Sequence, residues 1–333
     1  MKKLNIILIV LVCISCLVLV TAHLKKSHQG SLIKIGINEW AGYDPFILAD
    51  KKGFFKKNNV SVEVKRFASA TEEMRALKNG QIQGGGFTLD EAFTIINSGF
   101  KGKVVLVVDY SEGGDMLIGQ KEITHVSQLV GKTVGYEGSV VGQFLLDRAL
   151  RANYVKKRDI HLIDVPADNW LVTFKERKVD AIVCFNPVAT KLLNDYEGRL
   201  LFSSADMPFE IIDVLLLSES FYNDNRVAVA NIIKAWFDAL RYIKHNLDEA
   251  ALIIATEKNI SAEEYIVSLD GLVAPDLEAN KVIMDAKSNK NIYKHAQVIV
   301  DFMLSEGSLS QRINTSDVFQ AEIIFALESN SEG

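Results

Sequence analysis

Short apolar runs of strand character alternate with helical stretches along most of this chain, and this alternation restricts the possible folds more than any other feature. Four strands are predicted before residue 111, at residues 32–37, 60–67, 82–87 and 103–110. Helices are predicted between them. Asp44-Pro45 supplies a favoured N-cap and first residue, and Ser69 and Thr88 each precede a glutamate by three positions. Such repeats are typical of a parallel sheet covered by helices on both faces.

A second block of the same kind begins near residue 115. Its strands are predicted at residues 115–119, 132–136, 160–165, 179–185 and 209–217, and helices alone follow residue 225. No Pro-, Ser- or Gly-rich linker separates the blocks, so crossovers are expected at residues 110–115 and 206–213. We therefore predict an α/β protein of two lobes, each a mainly parallel sheet flanked by helices, with a helical C-terminal region. Lobe 1 comprises residues 32–111 plus 213–330, and lobe 2 comprises residues 112–212.

The first 22 residues have the pattern of an export segment. Lys2 and Lys3 precede an apolar run over residues 4–22. Three outcomes stay open: cleavage after Ala22, lipidation of Cys16, or retention as a membrane anchor, since the run is nearly long enough to span a bilayer. All three place the remaining chain in the periplasm or an equivalent extracytoplasmic compartment.

Composition and motifs exclude several classes of protein. With 48% hydrophobic and 24% charged residues, the chain is not disordered, and its net charge of −5 argues against nucleic-acid binding. Cys184 lies in an apolar run and is expected in the core. The six histidines show no metal-ligand spacing, and neither a nucleophile elbow nor a phosphate-binding glycine loop occurs. We therefore expect no metal, no cofactor and no catalysis.

Three segments resemble the nitrate/sulfonate/taurine solute-binding proteins of ABC importers. Residues 36–45 (GINEWAGYDP) are similar to the first strand and loop of that family, residues 131–150 (GKTVGYEGSVVGQFLLDRAL) to a strand, loop and helix of its second lobe, and residues 179–187 (VDAIVCFNP) to a later strand. The resemblance covers roughly residues 32–330. It implies a type II periplasmic-binding fold, a small ligand held between two lobes that close about a hinge, and an ABC permease with its ATPase as partners.

Candidate binding residues follow from the rule that ligands of open α/β sheets lie beyond the carboxyl ends of the strands. Residues at predicted helix starts can bind oxyanions through free N–H groups, namely Ser69, Ala70, Thr88, Ser139 and Val140. Aromatic residues at the strand ends can enclose a ligand, namely Trp40, Tyr43, Phe67, Phe87 and Phe185. Asp115 and Asp213 lie at the predicted crossovers and could bind a ligand amine or a hinge N–H. Asn186 completes the set at a position where the family often carries an acid.

Some of these assignments have structural alternatives that the sequence leaves open. Ser69 and Thr88 could simply cap helices, and Asp115 and Asp213 could be solvated surface carboxylates. The functional prediction is a monomeric solute-binding component of an ABC importer. Its ligand is expected to be a small organic anion, sulfonate- or taurine-like, or a pyrimidine-like compound. A membrane-anchored sensing module on the same fold is the alternative. A thiamine-pyrimidine synthase-like enzyme is less favoured, because Cys184 alone cannot supply that family's cysteine-rich motif.

Overall fold

The structure, a computed structural model, describes residues 32–328, so the predicted export segment (residues 1–22) and Cys16 lie outside the described residues. Its strands, in chain order, are β1 (Ile33–Ile37), β2 (Val62–Arg66), β3 (Gly84–Thr88), β4 (Gly102–Ser111), β5 (Asp115–Gly119), β6 (Thr133–Tyr136), β7 (His161–Asp164), β8 (Ala181–Phe185), β9 (Arg199–Ser203), β10 (Ile212–Ser218) and β11 (Leu272–Val273).

Helices occupy most of the chain between and after the strands. In chain order they are α1 (Pro45–Lys51), α2 (Phe54–Lys57), α3 (Ala70–Lys78), α4 (Leu89–Asn97), α5 (Val140–Ala152), α6 (Trp170–Lys175), α7 (Val188–Asp195), α8 (Glu219–Asp224), α9 (Arg226–His245), α10 (Leu247–Lys258), α11 (Ala262–Ser268), α12 (Leu277–Met284), α13 (Ile292–Ser305), α14 (Thr315–Val318) and α15 (Glu322–Ala326). Within residues 32–328, no helix combines the length and apolarity needed to cross a membrane.

The strands form two sheets, and this confirms the predicted architecture of two helix-flanked sheets. One sheet has the order β11-β4-β10-β3-β1-β2, and the other has the order β7-β6-β8-β5-β9. In each sheet one strand is inserted antiparallel between two strands that are parallel to each other: β10 between β3 and β4, and β5 between β8 and β9. Both are the first strands after the chain changes sheets. Only residues 112–114 join β4 to β5. This connection is too short to carry the chain along the second sheet, so β5 begins beside the carboxyl end of β8 and runs antiparallel to it.

The connections between the sheets are hydrogen-bonded to one another. Ser204, on the return connection, accepts a 2.6 Å hydrogen bond from the Gly113 N–H, and its hydroxyl lies 2.8 Å from the Ser111 hydroxyl. The Gly271 carbonyl accepts hydrogen bonds from the N–H groups of Glu112 (2.7 Å) and Gly114 (3.1 Å). Gly271 has a φ of +76°, and a Cβ there would overlap the Gly114 nitrogen, so this contact requires glycine.

The core of the first sheet is β4, where Val104–Val108 are fully buried. The C-terminal helices pack against this sheet, and Trp236 of α9 packs on Phe46 of α1 with the ring centroids 4.6 Å apart and the rings tilted by 50°. Trp236 is fully buried and is therefore a core residue. Cys184 is also buried, on β8, and burial raises the pKa of its thiol.

Two local predictions differ from the structure. Asp44 was expected to cap α1, but its carboxylate makes no capping hydrogen bond and instead pairs with Lys258 from α10. Ser69 does cap α3, accepting from the Glu72 N–H at 3.3 Å, but Glu72 is exposed and does not complete a capping box. In both places a long-range partner or solvent replaces the expected local contact.

Candidate functional site

A cleft of about 630 Å³, counting the part open to solvent, lies where segments of the two sheets meet. The first sheet contributes the loop after β1, the loop after β2, the end of β3 and the start of β10. The second sheet contributes the start of β5, the segments that follow β6 and β7, and the end of β8. The cleft therefore lies at the carboxyl ends of the parallel strands, where the topology rule places a ligand.

Most of the sequence-predicted binding residues line this cleft, namely Trp40, Tyr43, Ser69, Ala70, Thr88, Asp115, Ser139, Phe185 and Asp213. The lining also includes residues not among those candidates: Asn38, Glu39, Ala68, Glu91, Glu137, Val141, Ala167 and Ile211. Glu91 had a sequence signal, because it is the capping-box glutamate of a helix that starts at a strand end. The others lie in loops or in the first turns of helices, and their positions depend on the packing of the sheets.

Four predicted residues are not part of the lining. Phe87 is fully buried in the core, because its side chain and that of Thr88 point to opposite faces of β3. Phe67 and Val140 are half-buried and pack against the core. Asn186 is buried, with its amide donating to the Asp270 carbonyl (2.9 Å) and its oxygen accepting from the Thr190 N–H (3.1 Å) and hydroxyl (2.8 Å). Asn186 thus anchors the first turn of α7 instead of facing the cleft.

Trp40 and Phe185 connect the two sides of the cleft. Trp40 follows β1 of the first sheet, and Phe185 ends β8 of the second, and their rings meet edge to face with centroids 5.3 Å apart. Phe185 makes a second edge contact with Trp170 at 4.8 Å. The Trp40 indole N–H donates to the Asp109 carboxylate at 3.2 Å. Trp40 is therefore held by one sheet while it touches the other.

A pair of buried carboxyl groups lies behind Trp40. Asp109 on β4 and Asp213 on β10 are direct cross-strand partners, and Tyr43 donates its hydroxyl hydrogen to Asp213. Burial raises the pKa of Asp109 to about 8, against the opposing effect of hydrogen bonds with Trp40 and Asp213. Burial, followed by repulsion from Asp109, raises the pKa of Asp213 well above its usual range. Two neighbouring buried carboxyls of this kind favour holding a proton between them.

Further acids surround this pair. Burial raises the pKa of Asp90 and of Asp115 to about 6, and it raises the pKa of Glu73 and of Glu91 well above the usual range. Within residues 32–328, none of these four groups, nor Asp109 or Asp213, forms an ion pair with a lysine or arginine. In the same part of the chain, no group of three or more candidate ligands is arranged to hold a metal ion.

The helix starts at the cleft are capped by their own side chains. Ser69 caps α3, and Ser139 caps α5 by accepting from the Gly142 N–H at 3.4 Å. At α4, the Glu91 carboxylate accepts from the Thr88 N–H at 3.0 Å. Ser69 therefore caps α3, as one of its two interpretations predicts, and it also lines the cleft.

Gly42 leaves the space that the Trp40–Asp109 hydrogen bond occupies, because a Cβ at position 42 would overlap the Asp109 carboxylate. We expect Gly42→Ala to lower the free energy of unfolding by about 1–3 kcal/mol, the usual cost of overpacking, as measured by urea denaturation. Gly142→Ala is the matched control. Gly142 lies in α5, and a Cβ there would be 3.3 Å from its nearest neighbour, the Glu137 carbonyl oxygen. We therefore expect the free energy of unfolding to change by less than about 1 kcal/mol. Equal losses in both variants would contradict the prediction.

Three solved structures are similar in fold to this protein. The periplasmic aliphatic sulphonate binding protein SsuA from Escherichia coli has a TM-score of 0.76 at 16% identity, covering 91% of this chain and 96% of its own. The alkanesulfonate-binding protein SsuA from Xanthomonas axonopodis pv. citri, bound to MOPS, has a TM-score of 0.72 at 16% identity, with coverages of 88% and 99%. The periplasmic nitrate-binding protein NrtA from Synechocystis PCC 6803 has a TM-score of 0.70 at 14% identity, with coverages of 88% and 87%.

These similarities show the periplasmic-binding-protein fold. A search of curated proteins finds no match. Residues 27–257, more than half of the chain, match the sequence profile of the NMT1-like family. The protein therefore belongs to the NMT1-like family.

Proposed function

We propose that this protein is the extracytoplasmic solute-binding component of an ABC importer. The observation that carries the proposal is the cleft itself, which both sheets build and which holds most of the residues that the topology rule selects. The binding proteins that share the fold support it. The division into lobe 1 (residues 32–111 plus 213–330) and lobe 2 (residues 112–212) belongs to the same proposal, and the separate pairing of the two sheets supports it.

The geometry suggests how such a protein would work. A small molecule would enter between the sheets and contact loops from both, so that the closed form binds it more tightly than the open form. The connections at residues 112–114 and 204–211 would be the hinge. No bond is made or broken in this process. The partners would be an ABC permease and, through it, the ATPase, and the binding protein would act as a monomer without a cofactor.

A screen of small molecules tests this proposal. Thermal unfolding would be followed with sulfonates, taurine, nitrate and pyrimidines, which cover the ligand classes predicted from the sequence. Saturable stabilisation, together with a decrease in the radius of gyration by small-angle X-ray scattering, is expected for the true ligand class. Turnover of a compound by the purified protein, or no binding by any small molecule, would contradict the proposal.

Trp40→Ala is expected to weaken ligand binding at least about tenfold, or about 1.4 kcal/mol, because the indole lines the cleft and touches the opposite sheet through Phe185. Isothermal titration calorimetry with the ligand found in the screen measures the effect. Phe100→Ala is the control, since Phe100 packs against the core and is not part of the cleft lining. Unchanged affinity in Trp40→Ala would remove the indole from the site.

The export segment leaves one alternative to transport. If residues 1–22 are retained, the same fold could serve as a membrane-anchored sensing module, which would require a membrane partner other than a permease. N-terminal sequencing of the mature protein separates the cases: a start at His23 indicates cleavage, and a lipidated start at Cys16 indicates a lipoprotein.

A further inference from the structure

We propose that the cleft binds an organic cation, and that its protonated nitrogen lies among the carboxylates of Glu91, Asp115 and Asp213. This inference rests on the proposed binding function and names the ligand class for it. It departs from the anionic ligand that the sequence favours. It agrees with a pyrimidine-like ligand when such a ring carries a protonated amine or amidine.

The first observation is the charge of the lining. Five acidic side chains contribute to it, and none of the lining residues that the structure describes is lysine, arginine or histidine. The five are Glu39, Glu91, Glu137, Asp115 and Asp213. Burial favours the protonated forms of Glu91 and Asp213 in the free protein, because no cationic side chain in the lining stabilises their charge. An anionic ligand would oppose their ionisation further, whereas a cation would supply the missing counter-charge and stabilise the carboxylates as they lose their protons.

The second observation is which acids are neutralised by the protein. Glu39 sits at the exposed rim and pairs with Arg66 at 3.1 Å, so its charge is satisfied without a ligand. Asp213, Glu91 and Asp115 are only 1%, 6% and 8% exposed, and no described lysine or arginine forms an ion pair with them. Their oxygens are also under-used. Glu91 accepts from the Thr88 N–H, Asp213 from the Tyr43 hydroxyl with a further hydrogen bond to Asp109, and Asp115 has the Ser111 hydroxyl beside it, whereas a carboxylate can accept about four hydrogen bonds.

The third observation is independent of charge. The aromatic residues Trp40 and Phe185 line the same cleft as these carboxylates. The Trp40 indole N–H already donates to Asp109, so it is not available to hydrogen-bond an anion. Aromatic rings beside carboxylates are the combination that binds ammonium, amidinium and guanidinium groups, through cation–π contact and charge-assisted hydrogen bonds.

The helix starts at the cleft do not reverse this conclusion. The first turn of α3 contains Glu72 and Glu73, which oppose the positive end of that helix. Ser69 and Ser139 use their hydroxyl oxygens to accept hydrogen bonds from their own helices. These helix starts are therefore weaker anion sites than the sequence suggests.

A fractionated metabolite extract tests the ligand class before the ligand itself is identified. Small molecules from a bacterial extract are separated at pH 7 into fractions retained on a cation exchanger, retained on an anion exchanger, and unretained. Each fraction is added to the full exported protein, and thermal unfolding is recorded. Stabilisation by the cation-exchange fraction alone supports the inference. Stabilisation by the anionic or the unretained fraction overturns it while the binding function stands. Stabilisation by none contradicts the binding function itself.

Asp115→Asn locates the cation within the cleft. Binding of the compound isolated from the cation-exchange fraction is expected to weaken on the order of thirtyfold, because a charge-assisted contact becomes neutral. Asp168→Asn is the matched control, since Asp168 is exposed, follows β7 and does not line the cleft. It is expected to change affinity less than about threefold. Equal losses in both variants would indicate long-range attraction only, and would overturn the assignment of Asp115.

The pH dependence of binding gives a second readout. Asp115 has a pKa of about 6, and Ser111, Asp90, Asp109 and Asp213 face it. A bound cation favours the ionised carboxylate, so affinity is expected to rise from pH 5 to pH 7.5, with protons released on binding. Calorimetry in two buffers of different ionisation enthalpy measures the protons. Proton uptake, or tighter binding at pH 5, would overturn the inference.

Discussion

Replacing Lys258 with methionine is expected to lower the free energy of unfolding by about 3–5 kcal/mol, the usual loss when one partner of a buried ion pair is removed. The Lys258 ammonium lies 3.1 Å and 3.0 Å from the two Asp44 oxygens and donates to the Glu39 carbonyl at 3.0 Å. Asp44 is fully buried, and even beside Lys258 its pKa is raised to about 7, with burial as the main cause. Without the lysine, the carboxyl would be buried with neither a counter-charge nor its two strong donors. Urea denaturation at pH 7.5 measures the loss.

Two variants control for this result. Lys121→Met removes an ion pair with Glu197 of similar length, 3.0 Å, but both side chains are largely exposed, so a change below about 1 kcal/mol is expected. The double variant Asp44→Asn with Lys258→Met removes the buried charge as well as its partner, and it is expected to be more stable than Lys258→Met alone. A loss below about 1 kcal/mol in Lys258→Met would contradict the prediction. A loss equal to that of the double variant would show that packing, not charge, is responsible.

Raising the pH from 5 to 8 is expected to lower the free energy of unfolding of the ligand-free protein by at least about 3 kcal/mol. Burial raises the pKa of Asp109 to about 8 and of Asp44 to about 7, whereas aspartates in an unfolded chain titrate near 4. The native state therefore keeps protons that the unfolded state has already lost. This contribution to stability is complete below about pH 4 and disappears as the pH rises through the raised pKa values. Denaturation in urea at several pH values between 5 and 8 measures it.

Other groups affect the same curve to a smaller extent. The pKa of His295 is lowered by burial, so this half-buried residue favours folding as the pH rises, in the opposite direction. Glu176 and Glu264 have pKa values below their usual range because of neighbouring lysines, and their contribution therefore falls below about pH 5. Asp109→Asn is the informative control. It removes one titrating group and should reduce the fall in stability between pH 5 and 8. A native state that becomes more stable over this range would contradict the prediction.

Local signals in the sequence were sufficient to predict most of the helices and strands and to predict the edge of the sheets at which the cleft lies. The strand-helix alternation located β1 to β8 and β10, but it missed β9 (Arg199–Ser203), which lies where no strand was predicted. The short strand β11 was not predicted, because two residues carry no periodic pattern and their pairing with β4 is entirely long-range. The Asp44 cap failed for the same reason, since Lys258 is 214 residues away.

The candidate site shows the same difference between what local sequence signals predict and what long-range contacts decide. Trp40 and Asp115 could be selected from the sequence because they follow or begin strands at the ligand-binding edge. The sequence could not show that Thr88 faces the cleft while Phe87 faces the core. Successive side chains of a strand point to opposite faces, so an uncertainty of one residue in the strand changes the assignment. Asn186 lies at the right strand end, but its hydrogen bonds with Asp270 and Thr190 turn it toward the protein.

Local patterns in the sequence are sufficient for the class of this protein: an α/β chain with helix starts at the ends of strands and the profile of the NMT1-like family. These properties depend on local patterns of apolar residues and caps. The charge of the cleft, in contrast, depends on how the chain packs in three dimensions. Glu91, Asp115 and Asp213 come from separate strands and helices, and whether each is exposed, paired with a cation or buried without one depends on packing between the sheets. The ligand class that we propose therefore rests on burial and missing counter-charges, which no stretch of sequence contains.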